Sequence, residues 1–374
     1  MKIACFATSL VPSSTANSIQ LMKACQALAQ TGAEVCLWVP GRQAVAWSEL
    51  ASHYGLNTPF EVRWLPSWRS LRRYDFTWQA LQQAQNWGAE VIYTWMLQVA
   101  VLSLWRKLPV IVELHDLPTG NLGPHLFGEY LRRPGKKRLL VITHSLQTAL
   151  EEAYHYTFAP GEVLVAPNGA DLERYLGLPD AETARGQLGL PQGLTVGYTG
   201  HFYAGRGMDV LLELARRFPQ VNFLWVGGRS EDVQAWQARL PVEGVSNVSL
   251  TGFIENRRLP LYQAAADILL MPYERSIAGS SGGDSAQICS PMKMFDYMAA
   301  GRAILSSDLP VLHEVLNERN ACFCPPAEAD AWAEALARLL ADPAYCRQLA
   351  EQARMDIRRY SWRERAGRAL QDFG

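Results

Sequence analysis

The sequence predicts an α/β protein made of two doubly wound parallel sheets. Short apolar runs alternate with amphipathic stretches from end to end, the pattern of repeated strand–helix units. One polar stretch, 176–193, breaks the alternation, and a second series starts after it. A length of 374 residues also exceeds what one core usually carries. Hydrophobic residues at 49% and charged residues at 19% mark the chain as globular rather than disordered.

Taken in order, strands are expected at 2–7, 34–39, 61–65, 90–95, 110–114, 139–143 and 162–166. Leu21, Met22, Cys25, Leu28 and Ala29 recur at helical spacing over 18–31, and Thr31-Gly32 closes that helix before the next strand. The second series puts strands at 194–198, 222–226, 248–251, 268–271 and 303–305, with a helix over 208–218. The tail from residue 327 is helical in pattern, and 362–373 is expected to cross back onto the first domain. Ligands are expected in a cleft outside the carboxyl ends of the strands.

Composition excludes several functions. Lys+Arg 35 against Asp+Glu 36 leaves a net charge of -1, so no protein-wide surface for nucleic acid is expected. The seven cysteines are scattered without a C-x-x-C pair, which predicts neither a disulfide framework nor a zinc ribbon and fits a reduced, cytoplasmic setting. The opening run Ile3-Ala4-Cys5-Phe6-Ala7 stops at Thr8 and reads as a first strand rather than a signal peptide. The longest apolar stretch, 91–105, contains Gln98 and falls short of the roughly 20 residues a membrane span needs.

The most informative segment is 194–209, where a strand runs through Gly200 into a loop and then a helix start beside Arg206. Backbone N–H groups at a helix N-terminus together with a guanidinium suit a phosphate; a plain tight turn is the alternative. Gly200-x4-Gly205-Arg206 approaches a Walker A loop, but Gly207 replaces the hydroxyl that would hold magnesium. In 290–301, Pro291 suits a first helical turn, Met294, Phe295 and Met298 form an apolar stripe, and Gly301 ends the helix. Lys293 and Asp296 then sit in its first turns, as ligand contacts or as a solvated charge pair.

Gly279-Ser280-Ser281-Gly282-Gly283 matches the hydrolase pattern G-x-S-x-G, without the strand and helix a nucleophile elbow requires. His115 ends the run 110–114 and faces the ligand side of a parallel sheet or plays a structural part. No D-x-D pair and no metal-spaced His pair occurs, so no metal site is expected. Between Arg63 and Arg138, eleven Lys/Arg oppose five Asp/Glu, with Trp64, Trp68, Phe76 and Trp78 interleaved. That stretch is either an anionic-membrane surface or an ordinary solvated one.

Segments 16–32, Val112-Glu113-Leu114-His115-Asp116, Val165-Ala166-Pro167-Asn168-Gly169-Ala170-Asp171, 198–211, Val226-Gly227-Gly228, Leu250-Thr251-Gly252-Phe253 and 290–301 follow one another in a telling order. Over nearly the whole chain they resemble a retaining GT-B glycosyltransferase of glycosyltransferase family four. The resemblance implies an acceptor-binding domain 1–175, a nucleotide-sugar-binding domain 176–358 and a C-terminal helix 359–374. It implies a hexosyltransferase, with a nucleotide-diphosphate sugar such as UDP-glucose as donor substrate and no cofactor. The implied acceptor is a saccharide or a lipid-linked molecule, in polysaccharide or glycolipid synthesis. The enzyme is expected in the cytoplasm, docked peripherally on the anionic inner leaflet.

By the same resemblance, Arg206 and Lys293 hold the donor diphosphate, with Gly200 and His201 beside them. Asp296 stands for the second acid of the family's E-x7-E motif and meets the ribose. Ile288 replaces the first acid, so Ser290, Pro291 and Met292 are left to hold the sugar through backbone groups. Gly227, Gly228 and Phe253 lie near the base. His115 is the histidine near the reacting centre, with Ser14 and Asn17 on the acceptor side. A non-catalytic nucleotide-sugar binder, and an epimerase or phosphorylase on the same architecture, are the alternatives.

Overall fold

The computed structural model describes residues 1–71, 73–276 and 286–373. The chain divides into two compact units, Met1–Asn168 with Trp362–Gly374, and Gly169–Ser361.

The first unit holds a sheet of β1 (Lys2–Phe6), β2 (Glu34–Pro40), β3 (Glu61–Leu65), β4 (Val91–Thr94), β5 (Val110–Leu114), β6 (Lys137–Val141) and β7 (Val163–Val165). Its order is β3-β2-β1-β4-β5-β6-β7, with every pairing parallel. Ile3, Ala4, Cys5 and Phe6 are all fully buried, as expected of a parallel strand covered on both faces. That double burial is why β1 reads as a continuous apolar run rather than an alternating one. The helix Ala16–Gln30 follows β1, and the last helix, Trp362–Leu370, packs against it.

The second unit repeats the plan with β8 (Thr195–Gly200), β9 (Asn222–Gly227), β10 (Val248–Leu250), β11 (Ile268–Met271), β12 (Ala303–Ser307) and β13 (Cys322–Cys324). Its order, β10-β9-β8-β11-β12-β13, reverses between β8 and β11 just as the first sheet reverses between β1 and β4. Such switch points open a crevice at the strands' carboxyl ends. The helix Met208–Arg217 lays Leu211, Leu214 and Ala215 into a core shared with Trp225 and Trp332. Strand β13, three residues long, has no counterpart among the sequence expectations, because Cys-Phe-Cys is too short to show a period.

The boundary falls at 168/169, ahead of the 175 expected from composition. The N–H of Ala170 donates to the carbonyl of Tyr360 at 3.0 Å, and Ala170 bridges Ser361 in parallel. Tyr175 packs in the core of Met294, Phe295 and Ile357. The second unit correspondingly ends at Ser361 rather than 358. Among the described residues no helix is long and apolar enough to cross a membrane, and the seven cysteines form no disulfide.

Candidate active site

In the second unit the sequence-predicted residues Gly200, His201, Arg206 and Lys293 converge at the switch point. Strand β8 ends at Gly200 with a φ of 142°. A Cβ built there would lie 2.8 Å from Lys293 Nζ, so glycine leaves the space that the ammonium fills. The loop closes at Gly207, which caps the helix Met208–Arg217 with a φ of 69°. A Cβ at Gly207 would lie 1.8 Å from the carbonyl oxygen of Pro272, just past β11. The residue that replaces the Walker A hydroxyl is therefore fixed by this close approach. Glu274 secures the turn by accepting the Gly207 N–H at 3.2 Å.

Three tyrosines, unmarked in the sequence reading, build the walls. Lys293 Nζ sits 3.9 Å from the centre of the Tyr198 ring and 5.3 Å from that of Tyr273. The Arg206 guanidinium lies 5.1 Å from the same Tyr273 ring and 4.9 Å from Tyr203, whose hydroxyl accepts from Nη2 at 2.7 Å. Both side chains thus lie close to one aromatic ring, an arrangement that favours positive charge. Among the described residues, neither forms an ion pair with a carboxylate, and Arg206 Nε has no hydrogen-bond partner. Burial and the Arg206 charge push the Lys293 amine well below its ordinary pKa. Burial, then the charges of Arg206 and Lys293, likewise lower His201, whose ring stacks on Tyr203 at 5.3 Å. Like charges gathered with no ion-paired carboxylate among the described residues suit an anion.

The other residues expected on the donor side fall on neighbouring loops and on the helix that carries Lys293. Gly228 donates its N–H to the Gly200 carbonyl at 3.0 Å, and Gly227 to that of Gly252 at 2.9 Å, so this pair buttresses the loop. Phe253 follows on the next bend, half exposed. Pro291 caps the helix Met292–Ala300 rather than occupying its first turn, and Ser290 is buried before it. Met292 and Lys293 open the helix, and Asp296 lies one turn on from Lys293. Burial first, then the Asp296 carboxylate, pushes up the pKa of Tyr175. Ile288, in place of the first motif acid, is buried. Gly279–Gly283 and Arg72 lie outside the described residues.

In the first unit, His115 follows β5 and donates from Nε2 to Glu113 Oε1 at 2.6 Å. Ser14 and Asn17 are exposed, on the loop after β1 and in the first turn of the helix Ala16–Gln30. The basic segment is not one surface. Lys137 Nζ donates to the carbonyls of Tyr130, Leu131 and Arg133 at 2.7–2.8 Å, capping a helix end. Lys136 and Arg138 hold carbonyls of the last turn, 369–373. Of the aromatics, Phe76 is fully buried and the Trp64 indole donates to the Val11 carbonyl at 2.9 Å, whereas Trp68 and Trp78 are exposed. Among the described residues no three His, Cys, Asp or Glu side chains gather as metal ligands.

Residues 19–174 match the family model of Glycosyltransferase Family 4, and 193–342 that of Glycosyl transferases group 1. The chain is 27% identical over 261 residues to phosphatidyl-myo-inositol mannosyltransferase of Mycolicibacterium smegmatis, across 68% of this chain and 62% of that protein. It is 27% identical over 208 residues to alpha-galactosylglucosyldiacylglycerol synthase of Streptococcus pneumoniae, across 54% of this chain and 51% of that one. The chain therefore spans less than two thirds of either relative. Anabaena Alr3699/HepE, solved in complex with UDP, superposes with a TM-score of 0.75 at 18% identity, over 100% of this chain and 99% of that one. Sucrose-phosphate synthase from Thermosynechococcus elongatus superposes with a TM-score of 0.74 at 18% identity, over 100% and 98%. With both halves matched in order and two parallel-sheet units of this plan, the chain belongs to glycosyltransferase family 4, on the GT-B fold.

Proposed function

We propose that this protein is a retaining, metal-independent hexosyltransferase that uses a nucleoside-diphosphate sugar, a UDP-sugar foremost, and a saccharide or lipid-linked acceptor. The observation that carries the reading is the pair Arg206 and Lys293 at the Tyr273 ring, with neither in an ion pair with a carboxylate among the described residues. As the bond from the anomeric carbon to the diphosphate oxygen breaks, negative charge grows on the leaving group. Arg206, charged beforehand, and Lys293, which the diphosphate itself draws into its charged form, stabilise it from fixed positions. The acceptor oxygen bonds to the same face of that carbon, and its proton passes to the leaving phosphate. Asp296 meets the ribose, Phe253 and the Gly227–Gly228 turn flank the base, and Ser14, Asn17 and His115 serve the acceptor. Complexes of Alr3699/HepE with UDP and with UDP-glucose support the base, and relatives named for phosphatidyl-myo-inositol and diacylglycerol support a lipid-linked acceptor.

The test is a panel of nucleotide sugars in excess chelator, with released nucleotide and the product's anomeric configuration both measured. Nucleotide release with an α-linked product from an α-linked donor is expected. Binding with no release would leave a pure binder, and a sugar altered without an acceptor would make it an epimerase.

The acceptor-side unit is further proposed to dock on the anionic cytoplasmic leaflet. Exposed Trp78 carries the Arg106 guanidinium 4.4 Å from its ring centre, and exposed Trp105 carries that of Arg133 at 4.9 Å. Aromatic rings beside basic groups anchor at a lipid interface, each basic residue adding about 1 kcal/mol. Co-sedimentation with phosphatidylserine vesicles is expected, weakened by salt and by Trp78→Ser with Arg106→Ser. No binding at low salt sinks the membrane reading and leaves transfer intact.

A further inference from the structure

Glu113 is an anomaly in β5. Its neighbours Val110, Ile111, Val112 and Leu114 are apolar, and its own side chain is fully buried. An isolated carboxylate there would be costly, yet this one is saturated with donors. Oε1 accepts from Gln20 Nε2 at 2.6 Å, His115 Nε2 at 2.6 Å and Arg365 Nη2 at 2.7 Å. Oε2 accepts from Arg365 Nη1 at 3.1 Å and from the Tyr93 hydroxyl. Arg365 belongs to the last helix, and its Nε reaches the carbonyls of Ala166 and Pro167 at 3.1 and 3.0 Å. Burial alone would raise the Glu113 pKa. The Arg365 charge and the His115 hydrogen bond outweigh it and hold the carboxyl well below the usual range.

Every member of this cluster except His115 is buried, and the His115 side chain is 24% exposed. An ionised carboxylate only accepts hydrogen bonds, so the proton on the shared edge must sit on Nε2 of the histidine. In the neutral ring Nδ1 then carries the lone pair, and it has no hydrogen-bond partner among the described residues. We propose that Glu113 and Arg365 are positioning residues: a buried relay that locks His115 in the Nε2–H tautomer and presents Nδ1 as an acceptor to a substrate hydroxyl. The inference rests on the transferase reading for the identity of that hydroxyl, but the tautomer itself does not. It also assigns the last helix a part in the site, since Arg365 is what fixes the carboxylate's orientation.

Nitrogen NMR on the full chain with labelled histidine reads the tautomer directly, the His115 signals being assigned by their loss in His115→Gln. The wild type is expected to show protonated Nε2 and bare Nδ1. In Glu113→Gln a side-chain amide can serve either tautomer, so an Nδ1–H population appears. Turnover then falls on the order of a hundredfold, the usual cost of misplacing a group that orients the substrate. The donor's KM is expected to hold, because the donor-side residues lie in the other unit. If Glu113→Gln leaves Arg365 unpaired and the chain does not fold, the double variant Glu113→Gln/Arg365→Gln removes both buried charges and is read in the same way. A single Nε2–H tautomer retained in whichever of these variants folds overturns the relay. A mixed tautomer together with undiminished activity of His115→Gln supports the relay and instead overturns the role given to His115.

Discussion

The two units place charged groups at the carboxyl ends of equivalent sheets and treat them in opposite ways. In the first, Glu113 is buried with all of its hydrogen-bonding capacity met from within, by Gln20, Tyr93, His115 and Arg365. In the second, Arg206 and Lys293 share the Tyr273 ring, and among the described residues neither forms an ion pair with a carboxylate. A satisfied buried ion belongs to the fold, and breaking it shows up as instability. Cations held together without a counter-ion work against the fold and show up as affinity for an anion. The difference separates side chains whose charge is settled within the fold from side chains whose charge is left for a ligand to meet.

The sharpest way to break this contrast is Arg365→Ala. It strands the Glu113 carboxylate in the core, so a loss of about 3–5 kcal/mol is expected from chemical denaturation. A loss below about 1 kcal/mol would mean that the network is not integral to the first unit, since that is the scale of exposed ion pairs.

Arg206→Ala and Lys293→Ala are expected to behave in the converse way. Each lowers turnover by on the order of a hundredfold or more, as the removal of one preorganised charge does, while the fold survives, because each variant relieves a like-charge contact. Near-normal turnover with a verified donor would remove either residue from the diphosphate site.

How far this was legible in the sequence follows the same division. Strand–helix alternation is a local pattern, and it placed nearly every strand, the helix after Gly207 and the positions of Arg206 and Lys293 at loop–helix junctions. The aromatic cage was not legible, because Tyr198, Tyr203 and Tyr273 come together only when β8 and β11 become neighbours. Nor was the relay: Arg365 meets Glu113 across 252 positions of sequence. Glu113 did leave a trace, as the one carboxylate in an apolar strand run two residues before a histidine. The basic segment misled in part, since Lys136, Lys137 and Arg138 count as surface charge in a tally yet hold backbone carbonyls in the fold.

The contrast also predicts that the two units respond to pH in different windows, the first in acid and the second below the ordinary lysine value. Glu113 has a depressed pKa in the folded chain, so its stabilisation is fully present above the unfolded carboxylate's value and is lost as pH falls through the folded one. Lys293 is depressed too, by burial and by Arg206, and for a base that shift is a destabilisation, full below the lowered value and relieved as pH rises. Between its lowered value and the ordinary lysine value the unfolded chain binds the extra proton, so stability rises with pH across that window. Among the described residues, the groups facing the amine are Tyr198, Tyr273, Arg206 and His201, and the last two are repulsive when charged. A bound diphosphate supplies the missing counter-charge and draws a proton back onto the amine. Binding of UDP is therefore expected to take up a proton above the free-state pKa, with affinity falling by up to about tenfold per pH unit. Calorimetry in buffers of differing ionisation enthalpy measures that uptake, and Lys293→Met is expected to abolish the larger part of it. Proton release on binding, or uptake undiminished in Lys293→Met, would show that the amine is already charged in the free protein and that the second unit is less frustrated than its geometry implies.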